Sequence, residues 1–121
     1  MPMRSLVIKL TAGATEPEKV GQAFTVAATS ATAGVPISMW LTGDATWFAV
    51  PGHAEAFELP HSAPLVDLRD AVLAAGTLTV CTQCATRRGI EKESLVPGAR
   101  LAGASAFVEE ILADSAQALV Y

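Results

Sequence analysis

Charge and aromatic rings are both scarce in this sequence. Asp, Glu, Lys and Arg make up only 17% of its 121 residues, and Phe, Trp and Tyr only 6%. Beyond the pair Arg87-Arg88 there is no basic run, and the formal net charge is −4. No nucleic-acid partner is expected, because such proteins carry a basic patch or stripe. Histidine is as rare as cysteine. His53 and His61 sit eight apart and make a poor complement to two cysteines for a closed four-ligand zinc site. No G-x-G-x-x-G follows the first apolar run, and no phosphate-loop lysine motif occurs, so a Rossmann-type cofactor is disfavoured. Internal repeats, low-complexity segments and linkers are absent as well.

What the chain does have is aliphatic side chains. It is 51% hydrophobic, with 23 Ala, 12 Leu and 11 Val, and its mean hydropathy is +0.40. That excludes intrinsic disorder. It leaves a membrane protein, a domain buried on many faces, or an oligomer that hides further apolar surface. The longest uncharged stretch, Val20 to Gly43, is long enough to span a bilayer. It also contains Gln22, Thr25, Thr29, Ser30, Thr32 and Ser38, and Gly34-Val35-Pro36 breaks it. Two elements joined by a turn explain it better than a membrane span. Near the N-terminus a short apolar run meets Lys9 with no cleavage-site pattern, so neither a leader nor an anchor is expected. A cytoplasmic location follows as the expectation. Thiols there stay reduced, which favours reactive or metal-binding cysteines over a structural disulfide.

The patterning predicts alternating strands and helices within one domain, residues 1–121. Residues 5–10 form an aliphatic strand buried on both faces. Thr15-Glu16-Pro17-Glu18 reads as a helix start, with Thr15 as N-cap and Glu18 completing a capping box. Val20, Ala23, Phe24, Ala27, Ala28 and Ala31 then line one helical face, and Gly34 stops it. Further strands are predicted at 35–41, 77–81, 99–102 and 117–121. A short helix is expected over 45–50, with Asp44 as its cap, then a loop over 51–63. Another helix opens at Pro64, and the last carries a stripe through Phe107, Val108, Ile111 and Leu112. This β-α alternation argues for an open parallel sheet with helices on both faces.

In such sheets ligands bind at the carboxyl ends of the strands. Those ends carry Thr11-Ala12-Gly13, Thr42-Gly43-Asp44, Cys81-Thr82-Gln83-Cys84 and Gly103-Ala104-Ser105. The reactive side chains concentrate at Cys81 and Cys84. Cys81 ends its strand, the next turn offers free amides, and Arg87 and Arg88 follow within two helical turns. Amides at a helix start and nearby guanidinium groups both favour a thiolate. Cys81 is therefore the candidate nucleophile. Thioredoxin-type exchange fits less well, since the turn lacks Gly-Pro between the cysteines.

The segment Cys-Thr-Gln-Cys-Ala-Thr-Arg-Arg-Gly, from Cys81 to Gly89, resembles the DsrE/DsrF-like family of sulfur-relay proteins. The likeness extends to the small turn after the first strand and the Gly-Val-Pro entry to the second. It implies a three-layer α/β/α domain with a five-stranded parallel sheet, of the DsrEFH-like, flavodoxin/Rossmann-like kind. It also implies a homo- or hetero-oligomer, with trimer and hexamer as candidate states. Cys81 takes the place of the cysteine that accepts sulfane sulfur as a persulfide and hands it to a partner protein. Neither metal nor organic cofactor is needed. Arg87 and Arg88 would tune the thiolate, while Thr11, Gly13, Thr42 and Gly43 would shape the pocket. Cys84 departs from the single-cysteine pattern and stands as either a resolving cysteine or packing. A non-catalytic binding module and a C-x-x-C redox protein are the competing readings, so enzyme activity is left undecided. A subunit interface is expected to cover Trp47, Phe48, Phe57 and the loop at 51–63.

Overall fold

A computed structural model of the protein describes residues 4–121. Five strands, β1 (Ser5–Leu10), β2 (Ile37–Leu41), β3 (Thr77–Cys81), β4 (Arg100–Ala102) and β5 (Ala116–Val120), form one sheet in the order β4-β3-β2-β1-β5. Every pairing is parallel. The helices are α1 (Pro17–Thr32), α2 (His53–Ala56), α3 (Leu65–Ala75), α4 (Thr82–Arg87) and α5 (Ala104–Ile111). Short 3₁₀ segments occupy Gly43–Ala49 and Lys92–Ser94. Among the described residues, no helix is long and apolar enough to cross a membrane.

The strand order fixes the layers. Chain progress from β1 to β4 runs one way across the sheet, and right-handed crossovers put α1 and α3 on one face. The return to β5, on the far side of β1, sends α5 over the opposite face. Alternation along each strand then sorts the side chains. Ile8, Leu10, Met39, Leu41, Leu78 and Val80 are fully buried and join the core with Val20, Phe24 and Val72. Lys9, Trp40, Thr79 and Cys81 point the other way, toward α5. The many alanines of α1 keep its buried face shallow, which lets it lie close to both sheet and α3.

Four local expectations are corrected. Thr15 does not cap α1: Glu16 is the N-cap, no side chain caps the helix, and Pro17 opens it, since its missing N–H needs no partner there. Asp44 does not cap the 3₁₀ segment Gly43–Ala49. Thr42 precedes that segment, and the Asp44 carboxylate is drawn instead to Arg88. The segment 51–63, expected as a loop, contains α2. Phe48 is 3% exposed and packs edge to face with Phe24 and Phe57. It therefore belongs to the chain's own core rather than to a free surface. Arg69 is buried as well, donating to the Phe48 carbonyl and to Glu55, which ties α2 and the 3₁₀ segment to α3.

Candidate functional site

The strand order reverses between β1 and β5, where a crevice would ordinarily open. There the strand ends are tied together. Thr11 donates both its N–H and its hydroxyl to the Tyr121 carbonyl, at 3.0 and 2.9 Å. The cleft lies instead over the carboxyl ends of β1, β2 and β3, beneath the start of α5, with a volume of about 330 Å³. Lys9, Trp40 and Cys81 come from three neighbouring strands; Ala104 and Phe107 come from α5; and Thr11, Thr42, Gly43, Gln83 and Cys84 form the rim.

Cys81 is the last residue of β3 and the residue before α4. Its side chain is half-buried. Burial pushes the thiol up. Hydrogen bonds from the Cys84 N–H, the Cys84 thiol and the Gln83 N–H outweigh that, helped by the Lys9 charge, and hold the group below the ordinary thiol value. The amide contribution is the one expected from the turn after β3. The cation is different: Lys9, from β1. Arg88 is engaged elsewhere, donating to Asp44 at 2.8 Å and to the Cys84 carbonyl at 3.1 Å. It fixes α4 against the turn after β2 and so helps to place Cys84. Arg87 is exposed, and neither guanidinium lines the cleft.

The glycines at the strand ends serve turn packing. Gly43 adopts φ +55°, and a Cβ there would stand 2.9 Å from the Thr11 carbonyl oxygen. Its N–H donates to the Cys84 Sγ at 3.2 Å. Gly13 packs against Asp44, where a Cβ would meet the aspartate Cβ at 2.6 Å, and it does not line the cleft. Thr42 accompanies Gly43 at the rim, with its hydroxyl 3.4 Å from the Leu10 carbonyl.

Beneath α5 a polar network holds the cleft's outer wall in place. The Glu110 carboxylate accepts from the Ser38 hydroxyl, from the Trp40 indole N–H at 3.1 Å, and from Arg100. Arg100 also donates to Thr79. Burial raises the Glu110 carboxyl, but these donors prevail and hold it below the usual carboxylate value. Trp40 and Phe107 meet edge to face at 5.3 Å, and the Lys9 ammonium lies 5.1 Å from the Phe107 ring centre. The sequence pattern places Phe107 in the apolar stripe of the last helix and Glu110 on its outward face, and gives neither of them nor Lys9 a part in the site; the structure turns Glu110 inward onto Ser38, Trp40 and Arg100. Lys9 did leave a signal: a lone charge inside an aliphatic strand that is covered on both faces must be paired or used. His53 stacks on Trp47 at 5.0 Å, while His61 lines a separate groove beside α1. Among the described residues, no group of three or more His, Cys, Asp or Glu is arranged so that it could hold a metal ion.

The profile of the DsrE/DsrF-like family matches residues 4–120. The crystal structure of the ychN protein from E. coli superposes with a TM-score of 0.81 at 16% identity, covering 98% of this chain and all of that one. MTH1491, a protein of unknown function from Methanobacterium thermoautotrophicum, gives 0.74 at 7% identity, covering 98% of this chain and 99% of that one. At such identities these two structures establish the fold, a three-layer α/β/α arrangement. Among curated protein sequences none matches this one.

Proposed function

Because this chain belongs to the DsrE/DsrF-like family, we propose that it carries sulfane sulfur as a persulfide on Cys81 and passes it to a partner protein. The observation that carries this reading is the setting of Cys81: at a cleft, hydrogen-bonded by two backbone amides, with Lys9 nearby. A relay needs a thiolate nucleophile, stabilisation of the bound sulfur anion and an opening to the partner. Cys81 serves as carrier. Lys9 and the α4 amides stabilise the anion, and Thr11, Thr42 and Gly43 shape the rim. Arg87, exposed at the end of α4, would contact the partner.

The test is intact mass after incubation with a polysulfide donor. The wild type should gain the mass of one sulfur. Cys81→Ser should abolish the gain, and Cys84→Ser should keep it. Cys81 should also alkylate faster than free cysteine below about pH 8. No gain in mass, or a gain that survives Cys81→Ser, would sink the reading.

One observation favours a second reading. Cys84 lines the same cleft as Cys81, and its side chain is among the groups that hold the Cys81 thiol below its ordinary value. A C-x-x-C redox protein would show an oxidised form two protons lighter, with a Cys81–Cys84 bond. Assembly belongs to the same proposal. Val108, Leu112 and Val120 are 46%, 73% and 65% exposed, and the first two lie on or just beyond the helix that walls the cleft. A homo-oligomer, trimeric or hexameric, would cover them, and light scattering on the purified chain decides it.

A further inference from the structure

The cleft beside Cys81 is more selective than a bare opening for a partner's cysteine needs to be. Its volume of about 330 Å³ falls within the range that holds small ligands, about 300–1,000 Å³. Its lining is mainly apolar, with Trp40 and Phe107 as its aromatic members. The Trp40 N–H is already engaged by Glu110, so the indole has no donor left for an occupant. Lys9 breaks the apolar pattern. Among the described residues no carboxylate pairs with it, and none lines the cleft. A half-buried lysine with its ammonium over an aromatic ring and no carboxylate partner favours an anionic occupant.

We infer that the cleft binds a small organic anion with a flat apolar body and a sulfane sulfur, a thiosulfonate or a persulfide, and that Lys9 selects its charge. This rests on the carrier reading of Cys81. The body lies against the aromatic residues, the anionic end near Lys9 and the sulfane sulfur toward Cys81. The thiolate attacks the outer sulfur of R–X–S⁻, where X is SO₂ or S. An S–S bond forms at Sγ, the X–S bond breaks, and its electron pair leaves on the sulfinate or thiolate R–X⁻. Cys81 becomes Cys–S–S⁻. Two negative charges stand on each side of the step, and no outside oxidant takes part. Two anions must meet for this to happen, and Lys9 offsets their repulsion.

Benzenesulfonate tests the site without sulfur transfer, since it has the ring and the anionic end but no sulfane sulfur. Calorimetry should show binding to the wild-type chain, weakened about tenfold in Lys9→Met and largely restored in Lys9→Arg. On the wild type alone, neutral benzenesulfonamide and inorganic sulfate should each bind more weakly than benzenesulfonate. Equal affinity in wild type and Lys9→Met, no wild-type binding, or sulfate binding as well as benzenesulfonate would each overturn the inference. If it fails while polysulfide still loads Cys81, the carrier reading stands. If benzenesulfonate binds as expected and Cys81 never loads, the anion site stands without the carrier.

Discussion

One face of the sheet is sealed by two helices, and the other is covered by a single short helix with no buried residue. α1 buries seven residues, four of them alanine, against the sealed face. There the strands contribute only apolar side chains, and the aromatic trio Phe24, Phe48 and Phe57 fills the space beside them. On the α5 face the strands contribute Lys9, Ser38, Trp40, Thr79, Cys81 and Arg100; Glu110 joins Ser38, Trp40 and Arg100, and Arg100 reaches Thr79. The difference divides labour within one sheet. Apolar burial on the α1 face supplies the stability, which leaves the α5 face free to hold polar groups and a cleft.

The sharpest way to break this contrast is to truncate one aromatic ring on each face. Phe24 is fully buried, so Phe24→Ala should cost about 3–5 kcal/mol and can unfold the chain at moderate temperature. Phe107 is only half-buried, and Phe107→Ala should cost about 1–2 kcal/mol while weakening benzenesulfonate binding. Urea denaturation measures both. Equal costs would mean that α5 is as much a part of the core as α1.

A second test strikes the seam where the two faces meet. Gly43 has a left-handed backbone and touches the Thr11 carbonyl. Gly43→Ala should cost about 1–3 kcal/mol. The added Cβ also displaces the N–H that Cys84 accepts. Alkylation of Cys81 should therefore slow at a fixed pH, since Cys84 is one of its donors. A variant with wild-type stability and wild-type alkylation would show that the turns after β1 and β2 are independent of the site.

The two faces were not equally legible in the sequence. The α1 face follows from periodicity: the helical stripe from Val20 to Ala31 is buried as expected, and β3 occupies Thr77–Cys81 as expected. Cys81 at the cleft follows too, because a strand end on the carboxyl edge is set by local pattern and topology alone. Arg87 and Arg88 were drawn toward Cys81 by closeness in sequence. Strand pairing brings Lys9 to the same cleft across 72 positions of chain, and Asp44 holds Arg88. Glu110 reads as an outward-facing charge for the same reason, since its partners Ser38, Trp40 and Arg100 converge only once β2, β4 and α5 are stacked. Periodicity reads which face of an element is apolar. It does not read which polar groups from distant strands will share a cavity.

Glu110 gives the smallest effect and the most specific one. Its carboxyl sits below the usual carboxylate value when the chain is folded. Such a group adds stability that is fully present above its unfolded value and is lost as pH falls through the lower, folded one. Glu110→Gln removes the charge that Arg100, Ser38 and Trp40 converge on, so at neutral pH it should destabilise by about 1–2 kcal/mol. The gap between wild type and variant should shrink on acidification below the ordinary carboxylate value of 4.5, because the wild type then loses the same charge. Glu55 is also held below its usual value, by the Gly52 N–H first, but it titrates alike in both proteins and cancels from the difference. Urea midpoints at about pH 7 and about pH 3 measure the gap. A gap that stays constant across that range would mean that Glu110 acts on the α5 face through its shape alone, and the polar network would then be a consequence of α5 packing rather than its cause.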